Sequence, residues 1–192
     1  MTPGRTEALA WTIVGAPFAL LVGNLLAGTY DVSPWRIAVQ ESGLWALRWT
    51  TVTLMVSPFV ALTGMRAVEP SRRALGLGSA LYGFVHLWFW MRQYAFDWPF
   101  LFDEIVRVFL LLGLAATLLM TPLAATSNDF SRRRLGMDRW RRLHLLIYPA
   151  AAAAWFHYSL SIRLDRRELY VHAACLLVAF GQRLYREFAP RR

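Results

Sequence analysis

Lysine is absent from this 192-residue chain and cysteine occurs once, at Cys175. The formal net charge of +9 is therefore an arginine charge. A lone cysteine excludes an internal disulfide and a cysteine-based metal site, and its apolar surroundings suit a small core residue. Charge is scarce as well, at 17% of residues against 57% hydrophobic, where soluble domains carry about 25% charged residues. No strand alternation, internal repeat or low-complexity tract is present, and no G-x-G-x-x-G follows a strand to mark a dinucleotide-binding domain. The arginines lie between apolar runs instead of forming a continuous basic face, which excludes nucleic-acid binding as the reading of the charge.

What the chain does contain is apolar runs of roughly 18–22 residues, the length that crosses a bilayer core. Six helices are expected, over about 8–28, 44–64, 74–92, 105–124, 143–161 and 169–185. Short connections make residues 1–192 a single all-α membrane bundle. Arg5 followed by an apolar stretch resembles a signal peptide, but the stretch outruns an h-region and lacks an A-x-A site. It is read as a retained first span.

Orientation follows from the arginines. One side would hold Arg5, Arg66, Arg72, Arg73, Arg132, Arg133, Arg134, Arg139, Arg141, Arg142, Arg183, Arg186, Arg191 and Arg192. The other would hold Arg36, Arg92, Arg107, Arg163, Arg166 and Arg167. The positive-inside rule then puts both termini in the cytoplasm. Arg48, in the outer part of helix two, is expected to snorkel to the interface. Ser57-Pro58 is expected to kink that helix, freeing a carbonyl for the bundle to satisfy. The external segment QYAFDWPFLFDE, with Trp98, Phe96, Phe100 and Phe102, reads as an interfacial aromatic belt. A docking surface for an outside partner, with Asp97, Asp103 and Glu104 adding charge, is the rival reading.

An imidazole in a membrane span is costly without a partner. His86 lies thirteen residues past Arg73, and His157 thirteen past His144 at the arginine-rich border, each about 20 Å along a helix. Both therefore reach the same outer depth on parallel helices. Two histidines so placed suit axial ligation of a haem, and a bis-histidine iron suits electron transfer. Gly76, Gly78 and Gly83 before His86 leave room for a neighbouring helix or a flat macrocycle. Ala150 to Ala154 present a smooth face for the same purpose.

His144 has no histidine opposite it. It would serve a second haem with another ligand, line a quinone or flavin site as a proton relay, or be structural. In one continuous helix His144 and His157 would also differ by about 140° in azimuth, unless Pro149 kinks the helix or shifts the phase. His172 is a rival ligand at similar depth, or a packed histidine.

Two segments resemble the YedZ/MsrQ family. One is LGMDRWRRLHLLIY, with Leu135, Gly136, Trp140, Leu143, His144 and Tyr148, followed by His157-Tyr158; the other is RRALGLGSALYGFVH, ending in His86. Ser57-Pro58 stands where the family often has Thr-Pro, and Gly43 to Arg48 resemble its small-residue stretch. The family belongs to the ferric-reductase-like transmembrane superfamily. The resemblance implies a b-type haem subunit with one or two haems, to which His86, His144 and His157 carry over as the family's three histidines. It implies electrons taken from the quinone pool or a cytosolic flavin reductase. They would go to a periplasmic molybdopterin subunit (MsrP-like) that repairs oxidised methionine. FMN is implied too, although no flavin motif is visible.

Electrons would enter near His144. Arg141, Arg142 and their neighbours would hold a flavin phosphate or an acidic donor there, or serve orientation alone. Two other functions fit the residues. One is a ferric or oxygen reductase working with a separate flavin reductase. The other is a cofactor-free transporter or assembly protein whose histidines relay protons or bind a carried metal.

Overall fold

A computed structural model describes residues 3–162 and 166–188; Arg163, Arg191 and Arg192 of the orientation argument lie outside them. Among the described residues there are no strands. Nine α-helices run α1 (Pro3–Leu26), α2 (Pro34–Thr63), α3 (Ser71–Gln93), α4 (Trp98–Ile105), α5 (Val108–Ala125), α6 (Asp129–Leu135), α7 (Met137–His144), α8 (Ile147–Ser161) and α9 (Arg167–Phe188). Four are long and apolar enough to cross a membrane: Gly4–Leu26, Pro34–Thr63, Ser71–Gln93 and Val108–Ala125. The expected fifth span is shorter, because α8 has 15 residues and reaches only about 22 Å.

The departures from the expected boundaries have local causes. Helix α2 begins at residue 34 and not near 44, because Pro34 occupies its first turn, where the missing N–H costs nothing. The polar residues Arg36, Gln40 and Glu41 that obscured this start sit on a helical turn at the end of the bundle. The expected loop after α3 contains α4, capped by the Asp97 carboxylate accepting from the Phe100 N–H at 3.3 Å. The arginine-rich segment folds into α6 and α7, divided at Gly136 with φ 76°, a backbone region that favours glycine.

The expected helix over 143–161 is interrupted. Pro149 offers no N–H to the carbonyl of Leu145, and the junction tightens into i→i−3 bonds, Leu146 N–H to Leu143 O and Tyr148 N–H to Leu145 O, each 3.1 Å. His144 thus ends α7 while His157 lies in α8, so the 140° phase difference of one continuous helix does not arise.

Helices α2, α3, α5 and α8 surround the centre. Gly43 meets His86 while Thr53 meets Gly76, so α3 is antiparallel to α2. Gly113 meets His157 while Met120 packs with Ala150, so α8 is antiparallel to α5. Helix α1 packs outside α3: Tyr82 is 2% exposed and its hydroxyl donates to Val14 O at 2.8 Å. Gly78 faces the Val14 side chain where a Cβ would stand, so this glycine serves helix packing. Helix α9 closes the opposite flank by polar ties. Arg48 binds Glu168 through two nitrogens (Nη2–Oε1 2.5 Å, Nε–Oε2 3.2 Å) and lies over the Trp45 ring, so it is paired and not simply snorkelling. Trp155 Nε1–H donates to Leu169 O at 3.0 Å, and Gln182 Nε2 donates to Ser57 O at 3.3 Å.

Candidate haem site

The four central helices enclose a cavity of about 580 Å³, within the usual range for a small-molecule site. Its walls are small or apolar: Gly43 and Leu47 from α2, Ala80 and Gly83 from α3, Gly113 and Ala116 from α5, Ala150 and Ala154 from α8. Its mouth is polar, with Arg36, Gln40, Gln93, Glu104 and Arg107. Among the described residues, neither α1 nor α9 contributes to this lining.

His86 and His157 face each other across the cavity, their ring centroids 5.9 Å apart and their planes at 75°. His86 Nδ1 lies 2.8 Å from Val39 O and His157 Nδ1 lies 2.5 Å from Phe109 O. A carbonyl only accepts, so Nδ1 carries the proton in both rings, and Nε2 keeps its lone pair free to ligate a metal. A glycine lies beneath each ring. A Cβ at Gly43 would stand 2.7 Å from His86 Nδ1, and one at Gly113 would stand 2.9 Å from His157 Nδ1.

The donor set fits a haem. With metal–nitrogen bonds of about 2 Å on each side, two imidazoles sharing one ion hold their centroids roughly 6 Å apart, close to the spacing found. The smooth walls suit a flat macrocycle, and Arg36 and Arg107 at the mouth offer counter-charge for the macrocycle's carboxylates, although Arg107 is shared with Glu104 at 2.6 Å. No cluster of three or more His, Cys, Asp or Glu suited to a bare metal ion occurs among the described residues.

The other candidate residues lie elsewhere. His144, Trp140, Arg141, Arg142 and Tyr148 line a second cavity of about 740 Å³ at the arginine-rich end, with Arg72, Arg73, Arg132, Arg183 and Arg186. The His144 ring stacks on Trp140 with centroids 3.9 Å apart, and Trp140 Nε1–H donates to Thr126 O at 2.9 Å. His144 Nδ1–H donates to Trp140 O at 3.0 Å, and Nε2 lies 3.4 Å from Ser127 Oγ, whose proton points to Leu123 O at 2.6 Å. Among the described residues no second histidine lines this cavity, and Met120 borders both cavities.

His172 is 6% exposed and lies in the α2–α9 seam. Its Nδ1–H donates to Thr51 Oγ1 at 2.9 Å, because the Thr51 hydroxyl proton is already given to Leu47 O at 2.9 Å. It does not line the paired-histidine cavity.

Three participants escaped the sequence reading: Val39, Phe109 and Gly113. Gly43 entered it only through a family resemblance. The available signal was a residue followed four positions later by glycine, near the start of a helix, at the depth of a histidine on its neighbour. Depth can be counted from residues, but the rotational position of one helix against another cannot.

Four helices long and apolar enough to cross a bilayer, three of them lining a cavity that two histidines also line, define a helical membrane protein. The description "Ferric reductase like transmembrane component" matches residues 42–155, the stretch that supplies Gly43, His86, Gly113 and Ala154. The chain is 39% identical over 156 residues to the "Protein-methionine-sulfoxide reductase heme-binding subunit MsrQ" of Xanthomonas campestris pv. campestris (strain B100), covering 80% of this chain and 71% of that protein. It is 34% identical over 179 residues to the protein of the same name from Ralstonia nicotianae (strain ATCC BAA-1114 / GMI1000), covering 91% and 82%. The chain belongs to the ferric-reductase-like transmembrane family and, within it, to the MsrQ family. No solved structure matches it.

Proposed function

We propose that this chain is a b-type haem subunit carrying electrons across the bacterial inner membrane. The acceptor is a periplasmic, molybdenum-dependent methionine sulfoxide reductase subunit of MsrP type, and the donor is the quinone pool or a cytosolic flavin reductase. The observation that carries this reading is the His86–His157 pair, with both Nδ1 atoms committed to carbonyls and both rings lining one cavity. The relatives' names, which specify a heme-binding subunit of a protein-methionine-sulfoxide reductase, support the same reading.

His86 and His157 would be the axial ligands. A haem bound there supplies one-electron chemistry at an iron with no open coordination position. The attachment is non-covalent, since a C-x-x-C-H site needs two cysteines and Cys175 stands alone. The backbone carbonyls orient the imidazoles and fix their tautomer, while Gly43 of α2 and Gly113 of α5 lie against the ring faces.

The membrane topology belongs to the same proposal. Residues 1–192 form a single ferric-reductase-like domain with six spans, namely α1, α2, α3, α5, α8 and α9, and both termini in the cytoplasm. In this reading α8 and α9 supply the fifth and sixth spans, α8 packed against α5 and α9 against α2. A span of 15 residues is accommodated by local thinning of the bilayer. The arginine-rich cavity then faces the cytoplasm and the donor. His144, which lines that cavity, would relay a proton beside a quinone or FMN held there, or ligate a second haem.

The test is a dithionite-reduced minus oxidised spectrum of the purified protein, followed by reoxidation with an MsrP-type subunit. Soret and alpha bands of haem b that bleach on adding that subunit and methionine sulfoxide are expected. Absence of the bands after expression with ample haem would transfer the histidines to a transporter reading.

A further inference from the structure

Two different helices grip the paired histidines in the same way. His86 of α3 gives its Nδ1–H to Val39 O of α2, and its ring covers Gly43, where a Cβ would stand 2.7 Å from Nδ1 and 2.8 Å from Cε1. His157 of α8 gives its Nδ1–H to Phe109 O of α5 and covers Gly113, where a Cβ would stand 2.9 Å from Nδ1 and 3.0 Å from Cε1. In both helices the glycine follows the carbonyl residue by four positions, so the two are stacked one turn apart on the same face. The N–H of that glycine is also the helix's own donor to that carbonyl. A ring can reach an acceptor already engaged in a helix only if the turn above carries no side chain. Glycine is otherwise a poor helix residue, costing about 1 kcal/mol against alanine.

The two grips hold the ring planes at 75° to each other. Axial imidazoles split the iron's two π-symmetry d orbitals. Parallel rings reinforce that splitting, whereas perpendicular rings largely cancel it, leaving the orbitals nearly degenerate. We propose that the Val39–Gly43 and Phe109–Gly113 turns are positioning elements that hold the two ligand rings near perpendicular, giving the bound ferric haem a highly anisotropic low-spin state. This rests on His86 and His157 being the axial ligands. Gly43 and Gly113 act through those histidines and need not touch the iron.

Electron paramagnetic resonance of the oxidised, haem-loaded protein tests this directly. The expected wild-type spectrum is a single large-g feature with the other components broadened away. In Gly43→Ala and Gly113→Ala the ring must turn or withdraw, so that feature gives way to an ordinary rhombic low-spin signal or to high-spin iron. Gly181→Ala in α9, where an added Cβ meets nothing within 4 Å, keeps the wild-type spectrum. The wild-type measurement stands even if a glycine variant does not assemble. A rhombic wild-type signal would overturn the near-perpendicular geometry while leaving both ligands in place. Glycine variants with unchanged spectra would overturn the positioning role. A wild-type haem lacking any low-spin signal would overturn the ligand pair itself, and this proposal with it.

Discussion

Replacing His172 separates packing from ligation among the buried histidines. The side chain is 6% exposed and makes one good hydrogen bond, to Thr51 Oγ1 at 2.9 Å. In His172→Ala the Thr51 hydroxyl still donates to Leu47 O, so no buried donor is stranded and the cost is mainly the space the ring vacates. Emptying a well-packed site of that size costs about 2–4 kcal/mol, to which the lost hydrogen bond adds about 1 kcal/mol. For a chain of this length each kcal/mol lowers the melting temperature by roughly 2–4 °C, giving a drop of about 6–20 °C. The assay is thermal unfolding in detergent beside the visible spectrum at low temperature. Thr51→Val should share part of the loss, so that the double variant is more stable than additivity predicts by about 1 kcal/mol. The haem bands should remain at full amplitude per folded protein, because His172 serves the α2–α9 seam. Lost low-spin bands with unchanged melting would refute this reasoning.

Two other substitutions address the seam with α1 and the arginine-rich end. Tyr82→Phe removes the hydroxyl that donates to Val14 O and should cost about 0.5–1.5 kcal/mol, read as a melting shift with unaltered optical bands. A shift near zero would mean that this bond does not hold α1 to α3. His144→Ala should leave the bands of the His86–His157 haem intact while slowing its reduction by a quinol or a flavin donor at least tenfold, measured by stopped flow. Unchanged donor-driven rates would remove His144 from the input side.

Much of the helical architecture was legible because apolar run length is a one-dimensional signal. The equal depth of His86 and His157 followed from counting thirteen residues on two parallel helices, and the rings do lie 5.9 Å apart. The start of α2 was hidden because Arg36, Gln40 and Glu41 interrupt hydropathy without interrupting helix geometry. The single helix expected over 143–161 failed at a residue the sequence displays, Pro149. Pro149 was expected to kink that helix or shift its phase, and the deviation takes the form of an i→i−3 junction that ends one helix and begins the next. The carbonyl grips of Val39 and Phe109 were out of reach altogether. They depend on how neighbouring helices are rotated about their axes, which side-chain identities alone do not fix.

The most direct test of the account is haem retention in the two ligand variants. Purified His86→Ala and His157→Ala, each shown to be folded by circular dichroism, should each lose the low-spin Soret and alpha bands in a dithionite-reduced minus oxidised spectrum. His172→Ala should keep them in full, and His144→Ala should keep those of the haem held by His86 and His157. A folded His86→Ala or His157→Ala protein with the full low-spin spectrum would contradict the assignment of this cavity as a bis-histidine haem site.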